Sequence, residues 1–482
     1  MISTTESYKT KIKESLREFR GKVEFYFDGL ENEPTVFYSA DYLVSINLLE
    51  EYSIQDHNPL GLISSNEAII TLASPNHIFN PVNAASPYYG KMLPNLTVKP
   101  YIGIVLEEET IEEPEAVEFI PLGIFYTGDW NLSGQELYTT IRCTDGISRN
   151  FDKRMMQVPI QENTSAKDLF EKLFEIIEIP PQAYHIDPSL DTTIKYGWFQ
   201  GDKLRGVIQN IAHNSCCSVF INRYGDVSVK NNYTIGDPVL VLTDYDQVIS
   251  SQAPQKYSKV YSSINVEHGK PFVDSSTEIF NVFDIEVGLD GIDFKRAKFN
   301  TGPVAVVDQI LITGGENLSV DYFSFGAWDF TLRILNPGAV ATVTIKIYGS
   351  CIERTDDVAS MINDDLTDKI GDKPLTLNPY LIQDESNAIG YGDLLLGLVS
   401  DPLGHVTAEI IGDPSLEIGD VITIQNPSHA METIDVMITK LQLNYSGGLS
   451  CNIEGVSRAS RIKYDWVSVS PGMYNLVTRE VN

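Results

Sequence analysis

The chain has 482 residues, 43% hydrophobic and 10% aromatic, with 66 acids against 35 bases and a formal charge of −31 at pH 7. This is the composition of a folded chain of three or four domains and excludes disorder as the main state. With no long basic tract, the acid excess also argues against a protein that grips phosphate backbones. It serves either solubility or, if carboxylates line a channel, repulsion of a passing polyanion across a Debye length of about 8 Å. No run approaches the apolar length of a membrane span, and Met1 to Arg20 has no apolar signal core, so neither a span nor a signal peptide is expected. The five cysteines (Cys143, Cys216, Cys217, Cys351, Cys451) lie in apolar runs without metal or disulfide spacing and are expected as buried free thiols.

In chain order, residues 5–20 suggest a short amphipathic helix with Ile12, Leu16 and Phe19 on one side. Val23, Phe25 and Phe27 then alternate with polar residues up to the Asp28-Gly29 turn, as do Val44, Ile46 and Leu48. Residues 97–106 read as a strand, 107–118 as an acidic solvent-facing loop, and 119–130 and 137–145 as strands either side of a Ser133-Gly134 turn. A different texture follows. Ser165 and Asp168 have capping-box spacing, and Leu169, Phe170, Leu173, Phe174, Ile176 and Ile177 recur at helical intervals until Pro180-Pro181. A second helix is expected from Asp202, followed by a strand at 218–222, the Tyr224-Gly225-Asp226 turn and a strand at 227–229.

From 238 the strand texture returns at 239–242, 260–266 and 279–287. Regular alternation at 330–335 and 341–348, about the Asn336-Pro337-Gly338 turn, suggests an inserted β-sandwich. Helical signals reappear at 356–368 and 388–399. Ile235-Gly236-Asp237-Pro238 is echoed by Ile411-Gly412-Asp413-Pro414, which shared turn chemistry explains as well as duplication does.

The search for chemistry returns little. Seven histidines (His57, His77, His185, His213, His268, His405, His429) stand singly, with no metal-ligand spacing. No nucleophile elbow, phosphate loop or dinucleotide fingerprint occurs, so no catalytic, metal or cofactor residues are assigned. Asp364-Asp365 reads as a solvated helix face and Cys216-Cys217 as core. Tyr88-Tyr89 and Tyr322-Phe323-Ser324-Phe325 read as packing rather than as a sugar platform. A glycan-binding β-protein and a two-carboxylate polysaccharide hydrolase remain as alternatives.

Three segments carry a resemblance. The first is Pro121-Leu122-Gly123-Ile124-Phe125-Tyr126 with Asp129-Trp130 and the answering Ile141-Arg142-Cys143-Thr144-Asp145-Gly146. The second is the helix and hairpin from Gly201 to Val229, with Gly225-Asp226 at its turn. The third is Ile411-Gly412-Asp413-Pro414-Ser415-Leu416-Glu417-Ile418-Gly419-Asp420, with the later hairpin at Gly447-Gly448. Together they resemble the trimeric hub proteins of phage tail tips and baseplates, related to the amino-terminal hub module of tail-associated lysins.

The resemblance implies a mainly β, multidomain fold with smaller α/β parts: two tube-like β-barrels, a small α/β module and a β-rich insertion. It implies a homotrimeric ring that adapts a sixfold tail tube to a threefold spike and continues the channel for DNA, without enzymatic activity or cofactor. The implied partners are a tail tube or distal tail protein above, a central spike or tip protein below and other baseplate proteins, in a virion assembled from protein made in the host cytoplasm. The expected domains are an amino-terminal barrel at 1–155, the α/β module at 156–235, strands with the inserted sandwich at 236–350, the carboxy-terminal barrel with helices at 351–460 and a tail at 461–482. Only the turn and strand residues Pro121, Gly123, Asp129, Trp130, Asp145, Gly225, Asp226, Gly412, Pro414, Gly419, Asp420, Gly447 and Gly448 are carried over from the family pattern.

Overall fold

The structure is a computed structural model that describes the chain except residues 52–62, 64, 108–114, 133–136, 152–156, 202, 232–236, 243–247, 253–259, 401–405, 426–432 and 458–482. It is mainly β with smaller α/β parts, and its largest feature is one sheet of fourteen strands. In chain order these are β1 (Phe19–Phe25), β2 (Thr35–Tyr38), β3 (Leu43–Glu51), β4 (Glu67–Ala73), β5 (Thr97–Glu107), β6 (Ala116–Pro121), β7 (Phe125–Leu132) and β8 (Tyr138–Thr144). The remaining six are β9 (Leu240–Leu242), β10 (Val248–Gln252), β11 (Val406–Ile411), β12 (Val421–Gln425), β13 (Thr433–Tyr445) and β14 (Leu449–Ser457).

The strand order is β10-β11-β14-β13-β3-β4-β8-β7-β5-β1-β2, with β12 on β13, β9 on β12 and β6 on β5. Alternation turns every second side chain inward: Ile46 and Leu48 of β3, Ala68, Ile70 and Leu72 of β4, and Leu441, Leu443 and Tyr445 of β13 are all buried in one apolar core. That core spans both ends of the chain. The two expected tube-like barrels are not closed cylinders: among the described residues no backbone ladder closes the sheet, and one continuous sheet curls around a shared core. The closing contact is made by packing, since a Cβ at Gly21 of β1 would lie 2.6 Å from the ring of Tyr445 on β13 and 2.8 Å from Leu43 on β3.

The sheet is built twice. In the amino-terminal half the order is β3-β4-β8-β7-β5-β1; in the carboxy-terminal half it is β10-β11-β14-β13-β12-β9. Both sets hold the same places in chain order, so each is one topology written once and repeated. The halves differ in the last pair, antiparallel for β1 and β5 but parallel for β9 and β12, and in the added strands β2 and β6, which among the described residues have no counterpart in the carboxy-terminal half. Strands β9 and β10, which the sequence reading placed with the segment 236–350, thus belong to the carboxy-terminal unit.

The other elements surround this sheet. Residues 161–231 form the α/β module, with helices at Ala166–Ile176 and Leu204–Asn214 packed on short strands around Leu169, Phe170, Leu173, Val207, Ile208 and Ile211. Ser165 and Asp168 do close a capping box on the first helix. Residues 271–354 form two facing sheets around Phe330, Leu332, Ile334, Ile345 and Ile347, in the place expected of an inserted sandwich. Helix Glu385–Val399 lies on a small sheet of Ser263–His268, Asp357–Ile362 and Pro374–Leu377.

Two helical expectations are corrected. The amino-terminal helix covers only Glu6–Lys11; Leu16 is 79% exposed and Phe19 has joined β1, because a neighbouring strand offers its backbone better partners than a frayed helix would. Residues 357–362 form a strand before a short helix at Asp364–Ile370, since pairing with Ser263–His268 overrides local propensity.

Candidate functional site

The hairpin turn of the α/β module ends in Asn222-Arg223-Tyr224-Gly225-Asp226, a tight turn held by Asn222 O accepting from Gly225 N at 3.0 Å and by Gly225 at φ +92°. It delivers Arg223 into the interface between the two halves of the sheet. The guanidinium donates through Nε and Nη2 to both oxygens of Glu50 at 2.9 and 2.7 Å, and to the carbonyls of Pro414 and Leu416 at 2.5 and 2.6 Å. Glu50 belongs to β3, and Pro414 and Leu416 to the corner leading to β12. One side chain therefore ties the module to both halves. The pair is fully buried, with side chains 2% and 5% exposed. Burial pushes the Glu50 carboxyl above its ordinary value while Arg223 opposes the shift.

Beside this ion pair lies a small cavity lined by Glu50, Asn66, Gly123, Ile124, Asp145 and Arg223, among others. Asp145 accepts from Ser65 Oγ at 2.8 Å, from Asn66 N at 2.8 Å and from Ile147 N at 3.1 Å. Burial nevertheless raises its carboxyl from 3.8 to about 6, those donors pulling the other way. A folded carboxyl that holds its proton more tightly than the unfolded one loses stability as pH rises between the two values. At 1.36 kcal/mol per pH unit, wild type should lose about 2–3 kcal/mol relative to Asp145→Asn between pH 4 and pH 7. Denaturant titration of both proteins across that range checks this; parallel pH profiles would refute it.

The amino-terminal strap closes the same corner. Tyr8, fully buried, donates from its hydroxyl to Asp413 Oδ1 at 2.8 Å, and Ser415 donates to the same oxygen from N at 2.9 Å and Oγ at 2.6 Å. Ile2 N donates to Ser415 O at 2.8 Å, and Arg17 Nη1 reaches Gly412 O at 3.4 Å.

Several residues singled out in the sequence meet here. Gly123 and Asp145 line the cavity; Gly225 packs against Ile124, which a Cβ there would approach to 2.8 Å; Gly412 and Pro414 supply carbonyls; Asp420 immediately precedes β12. The three resembling segments thus converge on one junction. Others stand apart. Trp130 stacks with Phe27 at 6.3 Å between centroids, Asp129 is exposed on β7, Pro121 ends β6, Asp226 faces His185 at 3.4 Å, and Gly447-Gly448 turn the β13–β14 hairpin. Sequence reasoning missed Arg223, Glu50 and Tyr8, and read Asp413 only as turn chemistry. An arginine in the middle of a hairpin turn was the available signal, but its partner lies 173 residues away.

The halves themselves join along a seam, where β13 pairs antiparallel with β3 from Lys440 opposite Glu51 to Tyr445 opposite Ile46. On the sheet face turned away from the core, rows of side chains cross this seam unbroken. One runs Glu409, Asn452, Gln442, Leu49, Glu67 and Thr144 across six strands. On this face Lys440 meets Glu454 at 2.8 Å and Arg142 meets Glu67 at 2.5 Å, and Glu51, Glu409 and Asp435 share the strands beside the seam; further along the sheet the same face carries Lys22, Glu24 and Lys99.

The remaining candidates for chemistry are explained by packing. Cys143, Cys216, Cys217 and Cys451 are buried and Cys351 is half-buried, all as free thiols, and burial pushes the Cys143, Cys217 and Cys451 thiols up, away from the thiolate. Asp364 and Asp365 are exposed in the first turn of their helix. Tyr88 stacks on Phe79 at 5.4 Å, and Phe323 and Phe325 pack on the sandwich core, leaving Tyr322 exposed. Among the described residues no cluster of three His, Cys, Asp or Glu could hold a metal ion, and no helix is long and apolar enough to cross a membrane. His57, His405 and His429, the Ser133-Gly134 turn, most of the 107–118 loop and the 461–482 tail lie outside the described residues.

No family model matches the chain, and no curated protein matches it. Among solved structures it is similar to the 43 kDa tail protein of prophage MuSo2 from Shewanella oneidensis, at 10% identity and a TM-score of 0.49, over 92% of this chain and 99% of that one. It is also similar to a tail protein from Neisseria meningitidis MC58, at 8% identity and a TM-score of 0.49, over 92% of this chain and 97% of that one. A third likeness is to prophage tail protein gp18 from Listeria monocytogenes EGD-e, at 10% identity and a TM-score of 0.44, over 92% of this chain and 95% of that one.

Proposed function

We propose that the chain is a structural hub of a phage tail tip or baseplate. Three copies form a ring whose six sheet units match a sixfold tail tube above and whose threefold underside seats a central spike or tip protein. The observation that carries this reading is the repeated unit: two copies of one strand order, fused in a single sheet, give a trimer six comparable wall segments. The resemblance of three sequence segments to hub proteins points the same way. The protein's role is then geometric rather than enzymatic, its place is the virion, and other baseplate proteins surround it.

In this reading the polar face of the sheet lines the channel. On the six strands about the seam that face carries Glu51, Glu409 and Asp435 besides the two ion pairs, so that part of the wall has an excess of negative charge that keeps DNA sliding rather than binding. The inserted sandwich at 271–354 sits outside the repeated unit and serves contacts with neighbouring baseplate proteins. The test is the native mass of the purified chain with imaging of the particle. A species at three times the 53.7 kDa chain mass, with an axial hole, is expected. A monomer at micromolar concentration that shows no ring with a purified tail tube protein would overturn the reading. A trimer with a neutral or basic lumen would overturn the channel assignment alone.

A further inference from the structure

We infer that the inserted sandwich, residues 271–354, is an arm that undocks from the α/β module as a folded body, pivoting on a two-stranded neck at Gly269-Lys270 and Thr355-Asp356. Such an arm is a property of the single chain and does not depend on the hub reading.

The chain enters and leaves the sandwich at one place. Strands Ser263–His268 and Asp357–Ile362 pair with His268 opposite Asp357, and the same register resumes with Pro271 opposite Arg354. Between them two residue pairs drop out of the ladder. There the strands run so close that a Cβ on Gly269 would collide with Thr355 O. A ribbon of two strands is marginal on its own, and this one is interrupted at its middle.

Beyond the neck the sandwich is self-sufficient. Phe330, Leu332, Ile334, Ile345 and Ile347 belong to a core of its own, and among the described residues none of its strands packs lengthwise on a strand or helix of the rest of the chain. Its four outer strands, Thr277–Val287, Ile292–Lys298, Val304–Thr313 and Ser319–Phe325, each carry a bulge against the central strand they pair with. Bulges guard an edge against stray pairing, so the sandwich can stand away from the module without recruiting other strands.

One small patch holds it down. Ala327 N donates to Val158 O at 3.0 Å, and the hydroxyls of Ser324 and Thr331 donate to Gln157 Oε1 at 3.2 and 3.1 Å. Ala327 and Ile352 cover Trp198, whose ring lies 4.9 Å from that of Tyr380. The patch is poorly satisfied. Gln157 Nε2 and Trp198 Nε1 are both buried with no acceptor, and a donor cut off from water in this way works against the contact that buries it. Undocking returns both to water. Two further bonds, Lys195 Nζ to Pro271 O at 3.3 Å and Arg354 Nη1 to Pro379 O at 3.4 Å, lie beside the neck and hold the pivot rather than the patch. Opening the patch thus costs less than unfolding either body.

Hydrogen exchange of the unaltered chain, read residue by residue, tests this. The Ala327 amide is bonded across the patch and Ala327 is only 2% exposed, yet it should exchange about tenfold or more faster than amides of the central strands Asp329–Leu335 and Ala341–Arg354. Exchange there as slow as in those strands would overturn the inference. The second readout is chemical. Ala327→Cys puts a thiol in the patch, and the buried Cys143, Cys217 and Cys451 serve as controls that react only on wider unfolding, with wild type accounting for Cys351. The new thiol should be labelled well ahead of those three; labelling in step with them would also overturn the inference. Adding Gly269→Ala, which wedges the neck, should speed the new thiol further and leave the three controls unchanged. A rate blind to that change would reduce the motion to fraying of the Gly326–Trp328 turn and overturn the arm.

Discussion

Arg223→Ala is expected to lower the unfolding free energy by about 3–5 kcal/mol, because it leaves Glu50 charged and buried with no counter-ion. The same change also strips the Pro414 and Leu416 carbonyls of their donor. Glu50→Ala should cost a similar amount, the guanidinium then facing only carbonyls. The double replacement Arg223→Met with Glu50→Leu should recover most of the loss, since apolar groups of similar volume remove both desolvation terms together. Calorimetry and denaturant titration of the four proteins read these differences, and adding the Arg223→Ala/Glu50→Ala double closes a double-mutant cycle with the two single changes. A loss below about 1 kcal/mol for either single change would mean that the pair is not the buried tie described above. The predicted mechanical consequence is separation of the α/β module from the sheet, read as faster proteolysis around the Asn222–Asp226 turn.

Leu443→Ala and Leu48→Ala are the second large expectation. The two residues are opposed across the seam, and both are buried, at 0% and 1% exposure. Each truncation should cost about 2–5 kcal/mol through lost burial and residual cavity. Because they share one site, the double variant should cost less than the sum, with a coupling of about 0.5–3 kcal/mol. Hydrogen exchange should show the loosening on both sides of the seam, in β13 and in β3. Protection lost from only one half would mean that the halves are separately stable bodies that merely touch. The distinction bears on the proposed ring, because a wall that opens at its internal seam could not hold six segments in register.

Much of the local structure could be read from residues alone. The alternation of Val44, Ile46 and Leu48, the 3.6-residue spacing of Leu169, Phe170, Leu173 and Phe174, and the Tyr224-Gly225-Asp226 turn all declare themselves within a dozen residues, and the strands and helices formed where those patterns lay. Failures came where a distant partner decided. Residues 357–362 became a strand because Ser263–His268 lay beside them, and the amino-terminal helix stopped early because Phe19 was recruited by β5. The junction was half legible: its turns were visible as Gly225, Pro414 and Gly419, while the charge pair that fills it was not.

Composition and alternation by themselves determined that this is a mainly β chain of several parts, acidic and without recognisable catalytic spacing. Only the tertiary structure decided that its two halves are one sheet made twice. Equivalent positions share almost no chemistry: in the β7–β8 ladder Thr127 opposes Cys143 and Trp130 opposes Ile141, where the β13–β14 ladder has Ile438 opposite Gly455 and Leu441 opposite Ile453. Meanwhile the visible echo is not a repeat: Ile411–Pro414 leads to β12, whose counterpart is β5, and Asp237-Pro238 leads to β9, whose counterpart is β1. The physical reason is that a strand's neighbour, its register and its bulges are set by backbone hydrogen bonds and by the shape of a shared core, which many side chains satisfy equally well.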